Sequence, residues 1–96
     1  MLPREDFIFT IGYDGPSAVV DSQAKRRYGP LSTAELANKG LFRAAWSSAV
    51  YSGDRAEKEL VLDAYNKAAG TSYNVEDSLD RLFGVFLVDV KRAIVL

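Results

Sequence analysis

Histidine and cysteine are both absent from this sequence, so any chemistry falls to its carboxylates, cations and hydroxyls. That removes the commonest general base, the thiol nucleophile, disulfides, and the imidazole and thiolate metal ligands. Glu76, Asp77 and Asp80 place three carboxylates within about one helical turn. Such a group could bind a hard cation or share a proton. No calcium-loop pattern surrounds it, and acids in a first helical turn are expected from the dipole alone. A carboxylate-dependent enzyme is therefore the last of three functional readings, and the chain leans away from catalysis.

Two other patterns imitate catalytic motifs. Ser22-Gln23-Ala24-Lys25 has the S-x-x-K spacing in which a lysine activates a serine. Its companion motifs are missing and the chain is too short for the fold that carries them, so the match is coincidence. Gly12-Tyr13-Asp14-Gly15 looks like a fragment of a phosphate loop. A phosphate loop must run from a strand into a helix whose amides meet the anion. Here a second strand is expected, which makes the segment a hairpin turn. The sequence assigns no catalytic residue, no cofactor and no metal ligand.

Binding is better represented. Lys25-Arg26-Arg27-Tyr28 is the one basic run, and with Lys39, Arg43, Lys91 or Arg92 it could form a patch for phosphates, with Tyr28 stacking on a base. Against a nucleic-acid partner stands a net charge of −1, from 12 basic and 13 acidic residues. Nucleic-acid modules normally carry a basic total. Nucleic-acid or phosphate-ligand binding through residues 25–28, read as a basic loop, is the second reading. The first is protein binding or self-association, through Phe42 and Trp46. These two aromatics are i,i+4 neighbours on the otherwise polar side of a helix. They are either covered by the rest of the fold or presented to a partner, where tryptophan is enriched.

The elements that must position these residues follow from pattern and punctuation. Phe7, Phe9, Ile11 and Tyr13 alternate with Ile8, Thr10 and Gly12, which predicts a strand with one strongly apolar face. Asp14-Gly15-Pro16-Ser17 is a turn, and Ala18-Val19-Val20-Asp21 a short second strand. Ser22 to Pro30 is polar and reads as a loop or a single helical turn. Ser32 and Glu35 have capping-box spacing, and Leu31 and Leu36 stand at the staple positions, so a long helix is predicted from Ser32 to Tyr51, ended by Ser52-Gly53. On it Gly40, Ala44 and Ser48 form a ridge of small residues suited to close helix packing. Asp54 and Glu57 repeat the box and open a second helix to about Ala69, with Leu60, Val61, Ala64, Tyr65 and Ala68 as its stripe and Gly70 at C′. A third helix is expected from about Asn74, with Leu79, Leu82 and Phe83 on its apolar side. Residues 85–96 fit either a continued helix or a strand. Their β-branched density, and Gly84 before them, favour the strand.

The expected fold is therefore α+β: an N-terminal β-hairpin, three helices with the first as central layer, and a C-terminal strand completing a small antiparallel sheet. One globular domain is expected for 96 residues that are 48% hydrophobic and 26% charged. Pro3 and three charges near the N-terminus argue against a secretory signal, and no apolar run approaches a membrane span, so a cytoplasmic protein is expected.

Overall fold

A computed structural model describes residues 3–14, 17–74 and 92–95 of the chain. The fold is α+β. Its described elements run α1 (Arg4–Ile8), β1 (Thr10–Asp14), β2 (Ser17–Val20), α2 (Ser22–Tyr28), α3 (Thr33–Asn38), α4 (Phe42–Ser52), α5 (Arg55–Ala69) and β3 (Arg92–Val95). They fall into two compact units, one holding α1, β1, β2, α2 and β3, the other α3, α4 and α5. Among the described residues no helix is long and apolar enough to cross a membrane.

In the sheet unit the hairpin forms, but its first strand begins later than the alternation suggested. Residues 4–8 are helical. Pro3 stands at the N-cap, and Glu5 and Asp6 occupy the first turn, where the dipole favours acids. The Thr10 hydroxyl donates to the Asp6 carbonyl at 2.7 Å and closes the helix end. The expected apolar face of Phe7, Phe9, Ile11 and Tyr13 therefore does not exist. Phe7 lies in the helix, Phe9 is buried at its C-cap, and Ile11 is 57% exposed. The β1–β2 register passes from Thr10↔Val20 to Gly12↔Val19, so Ile11 is the extra residue of a bulge.

Strand β2 is central, with Ser17, Ala18 and Val20 buried. The C-terminal strand exists, but it pairs with β2 in parallel, Ser17↔Arg92 through Val20↔Val95, so the three-stranded sheet is mixed rather than antiparallel. Parallel neighbours require a long crossover, and helices α2 to α5 all lie between these strands in the chain.

Residues 22–28 are helix, not loop. Asp21 is the N-cap, and its Oδ1 accepts from the Gln23 and Ala24 amides at 3.1 and 3.2 Å. Helices α1 and α2 are tied by Lys25 Nζ to Asp6 Oδ1 at 2.6 Å and by Arg4 Nη1 donating to the Gly29 carbonyl at 3.0 Å. A Cβ at Gly29 would stand 2.4 Å from the Lys25 carbonyl oxygen of its own turn and 3.1 Å from Glu5 Cγ on α1, so a side chain here would have to displace both.

In the helical unit the predicted long helix is broken. The capping box opens α3 as expected, with Ser32 N donating to Glu35 Oε1 at 3.1 Å and Glu35 N donating to Ser32 Oγ at 3.2 Å. The helix then stops at Asn38. Gly40 has φ of +77°. Gly40 N donates to the Ala37 carbonyl and Leu41 N to the Leu36 carbonyl, each at 3.0 Å. These are the two bonds of a Schellman motif, with Leu36 and Leu41 at its paired hydrophobic positions. A new helix, α4, starts at Phe42. The ridge of Gly40, Ala44 and Ser48 is accordingly not a helix face, because Gly40 belongs to the turn.

Helix α5 spans its predicted range, but its inward stripe is rotated. Val61 and Leu62 are buried, while Leu60 is 39% exposed and Ala68 faces solvent. Only half of the second capping box forms as a cap: Asp54 accepts from the Ala56 amide at 2.9 Å, whereas Glu57 accepts from Thr33 on α3. That contact turns the α5 face toward Glu57, Val61 and Leu62.

Candidate functional site

Among the described residues, each unit carries an arrangement of side chains that could meet a ligand. On the helical unit it is a row of aromatic rings. Phe42, the first residue of α4, meets Tyr65 of α5 edge-on, with centroids 5.3 Å apart and planes at 85°. Tyr65 continues to Tyr73 at 6.2 Å and 36°. The edge-on pair has a favoured geometry for such rings, and both separations lie within the usual range for aromatic contacts. Phe42 and Tyr65 are half-buried and Tyr73 is 38% exposed.

The row owes its last member to Asn66. The Asn66 side chain accepts from Tyr73 N at 3.0 Å through Oδ1 and donates to the Tyr73 carbonyl at 2.8 Å through Nδ2. Its Oδ1 also accepts from the Thr71 hydroxyl at 2.8 Å. One amide thus imitates a strand's edge and fixes the chain after Gly70, where it lays Tyr73 against Tyr65. Of the two outcomes the sequence leaves open for Trp46, covered by the fold or presented to a partner, the first holds: Trp46 is 3% exposed. Sequence reasoning missed Tyr65, Tyr73 and Asn66 as members of one site. Their link is a side-chain clamp across a helix end, and the available signal was an asparagine shortly before the Gly70 stop.

On the sheet unit the second arrangement is an open groove of about 680 Å³, lined by Asp21, Gln23, Ala24, Arg26, Arg27 and Tyr28. The basic run splits in a way the sequence did not show. Lys25 turns to Asp6 and is consumed in the α1–α2 ion pair. Arg26 and Arg27 stay exposed, and the Arg27 guanidinium lies 5.9 Å from the centre of the Tyr28 ring. The lysine of the S-x-x-K pattern is thus an ion-pair partner of Asp6. Gly12, Tyr13 and Asp14 lie in β1, and the chain next enters β2 rather than a helix.

Thr33, Ser48 and Glu57 form a further, polar cluster. The Thr33 and Ser48 oxygens are 2.7 Å apart, and Thr33 donates to Glu57 Oε1. Thr33 and Ser48 are buried among the three helices they join, which makes the cluster a tie within the unit. Glu76, Asp77 and Asp80 lie outside the described residues. Among the described residues no three acids come close enough to hold a metal ion.

The chain matches no protein family, no curated protein and no solved structure.

Proposed function

We propose that the protein acts by binding protein, in the first instance a second copy of itself, through the aromatic row Phe42–Tyr65–Tyr73. The observation that carries this reading is that a row of three rings, each touching the next, ends in an exposed tyrosine whose main chain is clamped by Asn66. Tyrosine and phenylalanine held in one conformation lose little freedom on contact, and such residues concentrate at interface centres. Self-association has further support from the sheet. Among the described residues β1 and β3 each pair on one side only, and Ile11 projects from β1. Open edges of this kind are commonly covered by another chain.

Light scattering and sedimentation over a range of concentrations test the proposal. A reversible dimer is expected, and Tyr73→Ser should weaken it by about tenfold, the loss typical of one interface anchor. A chain that stays monomeric throughout, or a dimer indifferent to Phe42→Ser and Tyr73→Ser, overturns it.

A further inference from the structure

We propose that the groove along α2 binds a nucleoside monophosphate, with Arg26 and Arg27 on the phosphate and Tyr28 against the base. This inference uses a different unit and different residues from the protein-binding surface, so the two stand or fall separately.

The charges of the groove are those left over after the fold has been tied together. Lys25 is held by Asp6 and Arg4 by the Gly29 carbonyl, so both serve the α1–α2 contact. Arg26 has no such engagement: among the described residues it has no ion-pair partner. Among the described residues Arg27 rests only on the Tyr28 ring. Two adjacent guanidiniums offer forked donors that match phosphate oxygens. Cations in the last turn of a helix also answer its dipole, but an aromatic ring beside them does not. Tyr28 gives the groove a flat wall on which a base can stack.

The other lining residues narrow the ligand to one phosphate. Asp21 contributes a carboxylate whose Oδ1 is held by the Gln23 and Ala24 amides. A fixed negative charge there opposes a second phosphate, and the net charge of −1 opposes a long polyanion. The same carboxylate and the side-chain amide of Gln23 supply an acceptor and a donor–acceptor pair for the edge of a base. The length of α2, seven residues, is roughly 10 Å and suits a single nucleotide. A volume of about 680 Å³ lies within the roughly 300–1,000 Å³ of small-ligand sites.

Calorimetric titration of the whole chain with adenosine 5′-monophosphate, inorganic phosphate and a five-nucleotide single strand tests the assignment. Saturable one-site binding of the monophosphate is expected, with inorganic phosphate and the Tyr28→Leu variant each weaker by about tenfold, the value of one stacked base. Arg26→Ala combined with Arg27→Ala, both exposed and outside the core, should abolish binding while leaving the circular dichroism and melting of the chain unchanged. No binding at millimolar monophosphate overturns the proposal. So does equal affinity for inorganic phosphate, or binding that survives loss of both arginines. A strand that binds more tightly than the monophosphate, with a steep salt dependence, overturns the single-nucleotide assignment.

Discussion

The hydroxyls of Thr33 and Ser48 lie 2.7 Å apart in the interior of the helical unit, on residues separated by 15 positions in sequence. Thr33 also reaches Glu57, and that contact fixes the direction of the chain of bonds. A carboxylate accepts, so the single Thr33 proton goes to Glu57 and Ser48 must donate to Thr33. One threonine thereby joins α3, α4 and α5. Thr33→Val keeps the shape and removes both bonds, leaving Glu57 without its Thr33 donor. The expected loss is on the order of 2 kcal/mol of unfolding free energy in urea, and Thr33→Ser should recover most of it. Loss of less than about 0.5 kcal/mol in Thr33→Val would show that the cluster contributes nothing beyond its packing.

Gly40 offers a test whose sign, not size, is decisive. With φ of +77° and nothing within 4 Å of an added Cβ, Gly40→Ala meets only conformational strain. It should destabilise the chain by about 1 kcal/mol. Within one continuous helix the same substitution would stabilise it by about the same amount. A rise in melting temperature for Gly40→Ala would mean that α3 and α4 are one helix after all.

That position also shows where the sequence was legible and where it was not. Helix starts were readable because caps are local chemistry: Ser32 with Glu35, and Asp54, act within one turn. The break at Gly40 was hidden because apolar residues on both sides keep a common helical spacing, and periodicity bridges a short turn without notice. Residues 7–13 misled for a related reason. A run alternating in β-favouring residues reads as a strand throughout, while Pro3, Glu5, Asp6 and Thr10 spend its first half on a helix. Helix α2 escaped because seven residues without an apolar stripe carry no period, although Asp21 was a legible cap. The direction of β3 was beyond reach, since pairing depends on the path of the whole intervening chain. In the candidate sites the aromatic and basic residue types were readable. The partition of Lys25 from Arg26 and Arg27, and of Trp46 from Phe42, was not, because burial is decided by tertiary contacts.

The division of the basic run predicts opposite outcomes for neighbouring residues. Asp6 is 8% exposed, and Lys25 Nζ stands 2.6 Å from its Oδ1. Lys25→Met retains the aliphatic stem but leaves that carboxylate without its cation, which should cost on the order of 2 kcal/mol by chemical denaturation. Arg26→Ala removes an exposed side chain and should change stability by less than about 0.5 kcal/mol. Equal effects from the two substitutions would contradict the assignment of Lys25 to the fold and Arg26 to the surface.

Asn66 makes the last prediction, because it connects local structure with the proposed interface. Its side chain bonds both main-chain groups of Tyr73 and the Thr71 hydroxyl. All of these bonds lie at or near the surface, where each contributes at most about 1 kcal/mol. Asn66→Ala should therefore lower global stability by no more than roughly 3 kcal/mol, leaving the core of α5 intact. Its main effect is local. Amide exchange at Tyr73 should accelerate toward that of an open chain, and any dimer formed through the aromatic row should weaken to the same extent as in Tyr73→Ser. Asn66→Asp separates the bonds, since Oδ1 can still accept from Tyr73 N and Thr71 while the donor to the Tyr73 carbonyl is lost. Intermediate exchange and intermediate dimer affinity are expected for it. If Asn66→Ala freed Tyr73 without touching self-association, the clamp would belong only to the helix end, and the aromatic row would lose its claim to the interface.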